Sequence, residues 1–372
     1  MPSLLRNLLI DLKRRGEFVL HELTALQNLP ASFDAHRTTV VARLSRALLL
    51  VEQLLKDPDL SDPKLEPNFF MDFKRLSELI INVEDTSVLI LKRCSADDRF
   101  LSTLLEQICS EAGYKDRSPI CGALSFQYFQ ALMGMDIIMT PQMQASELLA
   151  LPDLYHELAH FVLFRRRSEF EVPLLGLIHK YFVEAIRKGK QQNLPTASLE
   201  IIRANYPLWT GSWHVEFACD MVATYWCGPA YGLANLRLSA TRGDPYQDGS
   251  THPADDARRA GIASMLRLTG DATAANEIDL LWQDLRRISL SAQPPGYAKR
   301  YPTRLLEKLA ECIFSACINA GFHRFADQQN HKHAFVSRTV AEAWKAFYQD
   351  AGAFPTFEAA AIDRLKQRLL TV

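Results

Sequence analysis

The stretch His156-Glu157-Leu158-Ala159-His160 is the feature around which the rest of this chain can be interpreted. On an α-helix, residues four positions apart share a face, so both imidazoles can bind one zinc ion. The glutamate between them can reach a water molecule on that metal and act as its base. We therefore predict Zn²⁺ as the cofactor, His156 and His160 as ligands, and Glu157 as the general base.

The flanking residues predict that this stretch is a buried helix. Pro152-Asp153 is typical of a helix start, and Arg165-Arg166-Arg167 lies where the negative end of the helix dipole favours cations. The residues between these two signals are mostly apolar. Two histidines and a carboxylate would be costly to bury there unless something satisfied them, and a metal ion does so.

A second predicted helix, over residues 213–223, supplies the third ligand. Glu216 and Asp220 fall on one face of it. A hydrolytic zinc site has three protein ligands and one open position, so Glu216 is predicted to complete the metal shell. Asp220 is predicted to accept the spare N–H of a ligand histidine, which fixes that ring. The alternative is an ordinary amphipathic helix whose acids face water, although the neighbouring residues are largely apolar.

A third segment, residues 249–259, adds another histidine. It is rich in turn-forming residues up to Pro253 and then becomes helix-like. His252 precedes this helix and is well placed to donate a hydrogen bond to a developing oxyanion. The alternative is a histidine in a surface loop with no chemical role.

The order of these elements resembles the gluzincin zinc metallopeptidases. The resemblance rests on His-Glu-x-x-His at 156–160, Glu-x-x-x-Asp at 216–220, and His-Pro followed by an arginine at 252–258. It covers roughly residues 117–270. The chain is most similar to the small-core members (minigluzincins) and to the soluble relatives of the membrane-bound prenyl-protein peptidases.

This resemblance implies roles for further residues. It assigns the zinc ligands and the base to the same four side chains as above. In addition, it implies that Asp220 orients a ligand histidine, that His252 stabilises the transition state, and that Arg258 braces that region. Tyr231 is implied as a second oxyanion donor.

Two short segments before the zinc helix predict strands. Residues 124–130 alternate loosely and are rich in aromatics, and residues 136–141 form a second candidate that a proline ends. They resemble the small sheet of these peptidases, in which an edge strand holds an extended peptide by backbone hydrogen bonds.

The predicted fold class is α+β, mostly α. We expect an N-terminal helical region at 1–116, beginning with a helical hairpin over residues 1–58. A zincin-like metallopeptidase core with a small mixed sheet follows at 117–290, and a C-terminal helical region at 291–372. The Pro- and Gly-containing stretch at 291–297 is the clearest linker.

Composition limits the partners and the location. A net charge of -1, from 42 basic and 43 acidic residues, gives no electrostatic case for nucleic-acid binding. The 7 cysteines form no Cys-x-x-Cys pair and lie among apolar neighbours, which is typical of reduced core residues in a cytoplasmic protein. No apolar run reaches the length of a transmembrane helix.

The leading hypothesis is a zinc-dependent peptidase that acts on a protein or peptide substrate. The large helical regions suggest a narrow substrate range or a regulatory partner. One alternative is a catalytically inert, zinc-stabilised binding or sensor module, although such a module has no need of Glu157. A zinc hydrolase with a non-peptide substrate is a third hypothesis.

Overall fold

Helices dominate the computed structural model of this chain, and one small mixed sheet accompanies them. The predicted class, α+β and mostly α, is therefore confirmed. The structure describes residues 4–62, 64–125, 128–144, 147–289, 291–329 and 333–370.

The chain divides into two compact units. The first consists of Met1–Thr103 and Pro119–Ala145, and the second of Leu104–Ser118 and Ser146–Val372. The sequence predicts domain boundaries at residues 116 and 290. The two compact units do not test these boundaries, so they stay predictions. Residue 290 itself lies outside the described residues.

The first unit begins with the predicted helical hairpin. Helix α1 (Leu4–Ala25) is followed by α2 (Ala31–Lys56), with the break where Asn28 and Pro30 predict one. Leu5, Leu9 and Leu12 of α1 are buried, and α1 packs against α2. The unit continues with α3 (Glu66–Asn82), a π-helical turn (Val83–Val88), α4 (Leu89–Arg93) and most of α5 (Ala96–Ala112).

The three strands of the sheet in the described chain also belong to the first unit. They are β1 (Ile120–Ser125), β2 (Gln130–Leu132) and β3 (Ile137–Pro141), in the order β1-β3-β2. The central β3 is parallel to β1 and antiparallel to β2.

One strand prediction needs correction. The strand predicted at 136–141 is β3, but residues 124–130 are not one strand: β1 ends at Ser125 and β2 begins at Gln130, while residues 126–127 lie outside the described part. The first four residues of β1 are all buried, so this strand has no in-out alternation. A strand covered on both faces gives a continuous apolar run instead.

The second unit is organised around one buried helix, α9 (His214–Cys227), in which every residue from Glu216 onwards is buried. It packs against α6 (Pro152–Arg165), α11 (Asp255–Leu268) and α14 (Thr303–Asn319). The other helices of this unit are α7 (Glu171–Gln191), α8 (Thr196–Leu208), α10 (Pro229–Arg242), α12 (Ala272–Ile288), α13 (Tyr297–Arg300), α15 (Phe325–Gln328), α16 (Phe335–Gln349) and α17 (Phe354–Leu370).

The helices predicted around the three motifs are confirmed as α6, α9 and α11. In the described part of the chain, none of the helices combines the length and apolar character needed to cross a membrane.

Candidate metal centre

The two histidines of the opening motif lie on one face of α6, as their spacing predicts. Their ring centroids are 4.9 Å apart, and the ring planes are nearly perpendicular at 82°. Among the described residues, the potential ligand atoms of His156, Glu157 and His160 all lie within 4.8 Å of one another. His156 and Glu157 are buried, and His160 is partly exposed.

Glu216 of α9 contacts both histidines through its two carboxylate oxygens. Oε2 lies 3.5 Å from His156 Nε2, and Oε1 lies 3.8 Å from His160 Nε2. Zinc ligands about 2.0–2.1 Å from a tetrahedral ion are separated from each other by roughly 3.3 Å. Each histidine Nε2 therefore lies near zinc-ligand separation from one oxygen of Glu216, while the ligand atoms that all lie within 4.8 Å of one another include Glu157 and not Glu216.

The opposite nitrogen of His156 faces a buried carboxylate. Asp220 Oδ1 lies 3.0 Å from His156 Nδ1, one helical turn along α9 from Glu216. The Tyr231 hydroxyl lies 2.9 Å from the same Nδ1 and donates a hydrogen bond to Asp220 Oδ1. Because Nδ1 is engaged on this side, Nε2 is the ring nitrogen of His156 that faces Glu216 and is left to bind a metal.

Arg258 neutralises Asp220 from α11. Its Nε and Nη2 donate to the two carboxylate oxygens at 2.8 and 2.6 Å, and both side chains are buried. Burial alone would raise the pKa of Asp220, but the guanidinium and His156 hold it well below its usual range. Asp220 is therefore ionised at neutral pH, as a carboxylate that supports a ligand histidine must be.

His156 is positively charged at neutral pH when no metal is bound. Burial lowers the pKa of His156, but hydrogen bonds to Asp220 and Glu216 outweigh this and raise it to about 10. Burial also opposes ionisation of Glu216, yet His156 lowers the pKa of that carboxyl to about 2. Burial and the charge of His156 lower the pKa of His160 to about 4. The proton of His156 thus occupies the place that a cation would take.

His252 lies at the exposed edge of this cluster. Its Nε2 is 3.7 Å from Glu216 Oε2, and about half of its side chain, 54 %, is open to solvent. A donor in this position is accessible to a substrate while remaining beside the ligand set. His252 is therefore not isolated from the cluster, and its oxyanion role stays a prediction.

The structure therefore brings together all the site residues named from the sequence, and it places one of them, Tyr231, on the far side of His156 from Glu216. The Tyr231 hydroxyl is engaged by Asp220 and by the Nδ1 side of His156, away from the Nε2 that faces Glu216. Its side chain is also buried. This position suits support of a ligand better than donation to an oxyanion.

Sequence reasoning missed the residues that hold the His252 segment. Tyr301 accepts a hydrogen bond from the Ala254 backbone N–H, and Trp213 donates one to the Gly249 carbonyl. Tyr301 lies beyond the predicted linker, and no periodicity or motif spacing connects it to His252. Only the fold brings them together.

Comparison with known proteins finds no matching family model, no matching curated protein and no matching solved structure. The interpretation of this site therefore depends on its residues and their geometry.

Proposed function

We propose that this chain is a zinc-dependent peptidase of gluzincin-like design, with His156, His160 and Glu216 as the metal ligands. One observation carries the proposal. The Nε2 atoms of both histidines face the same Glu216 carboxylate, at 3.5 and 3.8 Å, while a buried Asp220 holds the other nitrogen of His156. A metal site with an outer carboxylate that orients a ligand histidine is the arrangement expected for catalysis.

Each side chain has a separate task in the proposed reaction. Bound zinc would polarise the scissile carbonyl and lower the pKa of the attacking water. Glu157 accepts the proton of that water and passes it to the leaving amine. His252 donates a hydrogen bond to the oxyanion that develops on the carbonyl oxygen. Asp220, Tyr231 and Arg258 keep His156 in its ligand orientation.

The position of Glu157 favours catalysis over a purely structural metal site. Its carboxylate is buried within 4.8 Å of potential ligand atoms of both histidines. A structural zinc ion is enclosed by four protein ligands and needs no base beside it. A carboxylate beside both histidines is the side chain that such a site would use for proton transfer.

We further propose a cytoplasmic protein with a protein or peptide substrate, a narrow substrate range and a regulatory partner that contacts the helical regions. The 7 cysteines all lie in the described part of the chain and form no disulfide bond with one another, as expected in a reducing compartment. The balanced net charge of -1 gives no support for a nucleic-acid partner.

Glu157→Gln tests the proposed function, because it removes the base and keeps the shape of the side chain. Both proteins are loaded with zinc and incubated with a complex peptide mixture, with and without a chelator, and new termini are counted by mass spectrometry. We expect the variant to retain about one zinc per chain and to lose roughly 10²–10⁴-fold in cleavage rate.

Glu169→Gln is the matched control, since Glu169 is exposed just beyond the end of α6. It should cleave at the wild-type rate. Equal cleavage by Glu157→Gln and wild type would contradict the proposed base. A wild-type protein that binds zinc and cleaves nothing would instead favour the inert zinc-stabilised module.

A further inference from the structure

Most of the segment that carries His252 is exposed to solvent. We call residues 248–254 the His252 loop. Residues 249–252 are exposed, and the loop is closed by a hydrogen bond from the Gly249 N–H to the His252 carbonyl at 2.9 Å. The Thr251 hydroxyl also lies 2.9 Å from His252 Nδ1. These local contacts alone do not determine where the loop lies relative to Glu216.

One buried phenol joins both ends of the loop. The Tyr301 hydroxyl donates to Asp248 Oδ2 at 2.8 Å and accepts from the Ala254 N–H at 3.0 Å. Only 4 % of Tyr301 is exposed, so water competes weakly for these two bonds. Because the bonds bracket His252 in sequence, Tyr301 restrains the span of the loop. Arg300 Nε also lies 3.0 Å from Asp248 Oδ2 and holds that end of the loop.

The π-helical turn at Trp209–Trp213 provides a second anchor. The Ser212 hydroxyl donates to the Ser250 carbonyl at 2.7 Å, and Trp213 Nε1 donates to the Gly249 carbonyl at 2.9 Å. This turn runs directly into α9, the helix that carries Glu216. Such turns are frequent at functional sites. Here the turn attaches the His252 loop to the same helix as a metal ligand.

The two anchors also support each other. The rings of Trp213 and Tyr301 are stacked, with centroids 5.0 Å apart and planes 21° from parallel. Both rings are buried. Rigid aromatic side chains with few rotatable bonds hold a fixed distance at low entropic cost. The anchor is therefore a stiff connection from α9 through two rings to the loop.

We propose that Tyr301 is a positioning residue that, together with Trp213, holds His252 beside Glu216 so that its imidazole meets the developing oxyanion. The proposal rests on the proposed function, and it extends the catalytic unit into the region after the predicted linker. A misplacement of about 1 Å in a catalytic group can cost on the order of 10²-fold in rate. A half-exposed histidine on an exposed loop needs such an external support.

Tyr301→Phe tests this inference, because it keeps the stacked ring and removes both hydrogen bonds to the loop. We expect kcat for a cleaved peptide to fall by about 10-fold, with KM and zinc content unchanged, since one oxyanion donor contributes roughly 10²–10³-fold. In a His252→Ala background, the same substitution should change kcat by less than about 2-fold. A structural role without His252 would reduce kcat equally in both backgrounds.

Hydrogen exchange provides a readout that does not depend on activity. The amide of Ala254 should exchange faster in Tyr301→Phe than in wild type, because its acceptor has been removed. Tyr225→Phe is the control: its buried hydroxyl donates to the Phe322 carbonyl and does not contact the loop. It should leave both Ala254 exchange and kcat unchanged.

The outcomes separate the two proposals. Unchanged exchange at Ala254 in Tyr301→Phe, or equal losses of kcat in the presence and absence of His252, would overturn the positioning role. If the wild-type protein cleaves no peptide, the proposed function fails, while the exchange measurement still decides whether Tyr301 holds the His252 loop.

Discussion

Replacement of Asp220 by asparagine would test whether the carboxylate behind His156 strengthens metal binding, while the proposed metal ligands stay unchanged. The carboxylate is fully buried and has three partners: His156 Nδ1, the Tyr231 hydroxyl and the fork of Arg258. Asparagine keeps the shape and one acceptor oxygen but removes the charge. None of the proposed metal ligands is changed, so any loss of metal affinity arises through the support of His156.

The expected magnitude follows from these contacts. Loss of an outer carboxylate behind a ligand histidine typically weakens metal binding by about 10–100-fold. The metal-free protein should also lose about 3–5 kcal/mol of its free energy of unfolding, because Arg258 is left buried opposite a neutral partner. The two effects are separable, since zinc affinity is measured on the folded protein and stability on the metal-free protein.

Asp255→Asn is the matched control for this test. Asp255 Oδ1 lies 3.8 Å from Arg258 and 3.0 Å from Arg242, so it borders the same guanidinium without contacting a histidine. Competition with a chelator of known affinity should show weaker zinc binding in Asp220→Asn and wild-type binding, within about 2-fold, in Asp255→Asn. Wild-type zinc affinity in Asp220→Asn would refute the supporting role.

Other expected outcomes concern stability, packing and proton release. Asp98 is buried, and burial raises its pKa, but hydrogen bonds from Arg93 and from backbone N–H groups outweigh this effect and hold the pKa below its usual range. The ionised Asp98 therefore stabilises the folded protein at neutral pH, and this stabilisation is lost as the pH falls through the folded-state pKa. Asp98→Asn should lower the free energy of unfolding by about 2–3 kcal/mol at pH 7. When the melting temperature is measured against pH, its decline below about pH 4 should be shallower in the variant than in wild type; an equally steep decline would count against this. Gly122→Ala should lower the melting temperature by the equivalent of about 1–3 kcal/mol, because its Cβ would lie 2.3 Å from Ile90 Cδ1 in the core; an unchanged melting temperature would contradict that packing. Because the pKa of metal-free His156 is about 10, zinc binding at pH 7 should release about one proton, measured by calorimetry in buffers of different ionisation enthalpy; a heat independent of the buffer would disagree.

The ligand helix could be predicted from the sequence because its signals are local. Pro152 opens α6, Arg165 ends it, and the four-residue spacing of the two histidines places both on one face whatever the rest of the fold does. The same reasoning identified Glu216 and Asp220, since a helix places residues four apart on one face.

Other features depend on contacts between residues that are far apart in the sequence. The contact between Tyr301 and the ends of the His252 loop has no local signal, because Asp248 and Ala254 lie 53 and 47 residues before Tyr301 in the chain. The π-helical turn before α9 is equally hidden, since Trp209 to Trp213 would fit a regular helix by composition. The role of Tyr231 was also inaccessible, because the side of His156 that it contacts is determined by the packing of α10 against α6 and α9.

The metal content of the purified protein, measured by elemental analysis beside a Glu216→Ala variant, tests the central claim most directly. Glu216 contacts both histidines but comes from a different helix, so it is the ligand that depends on the fold. We expect about one zinc per wild-type chain and clearly weaker retention in the variant. A wild-type protein that holds no zinc, even after zinc is supplied, would contradict it.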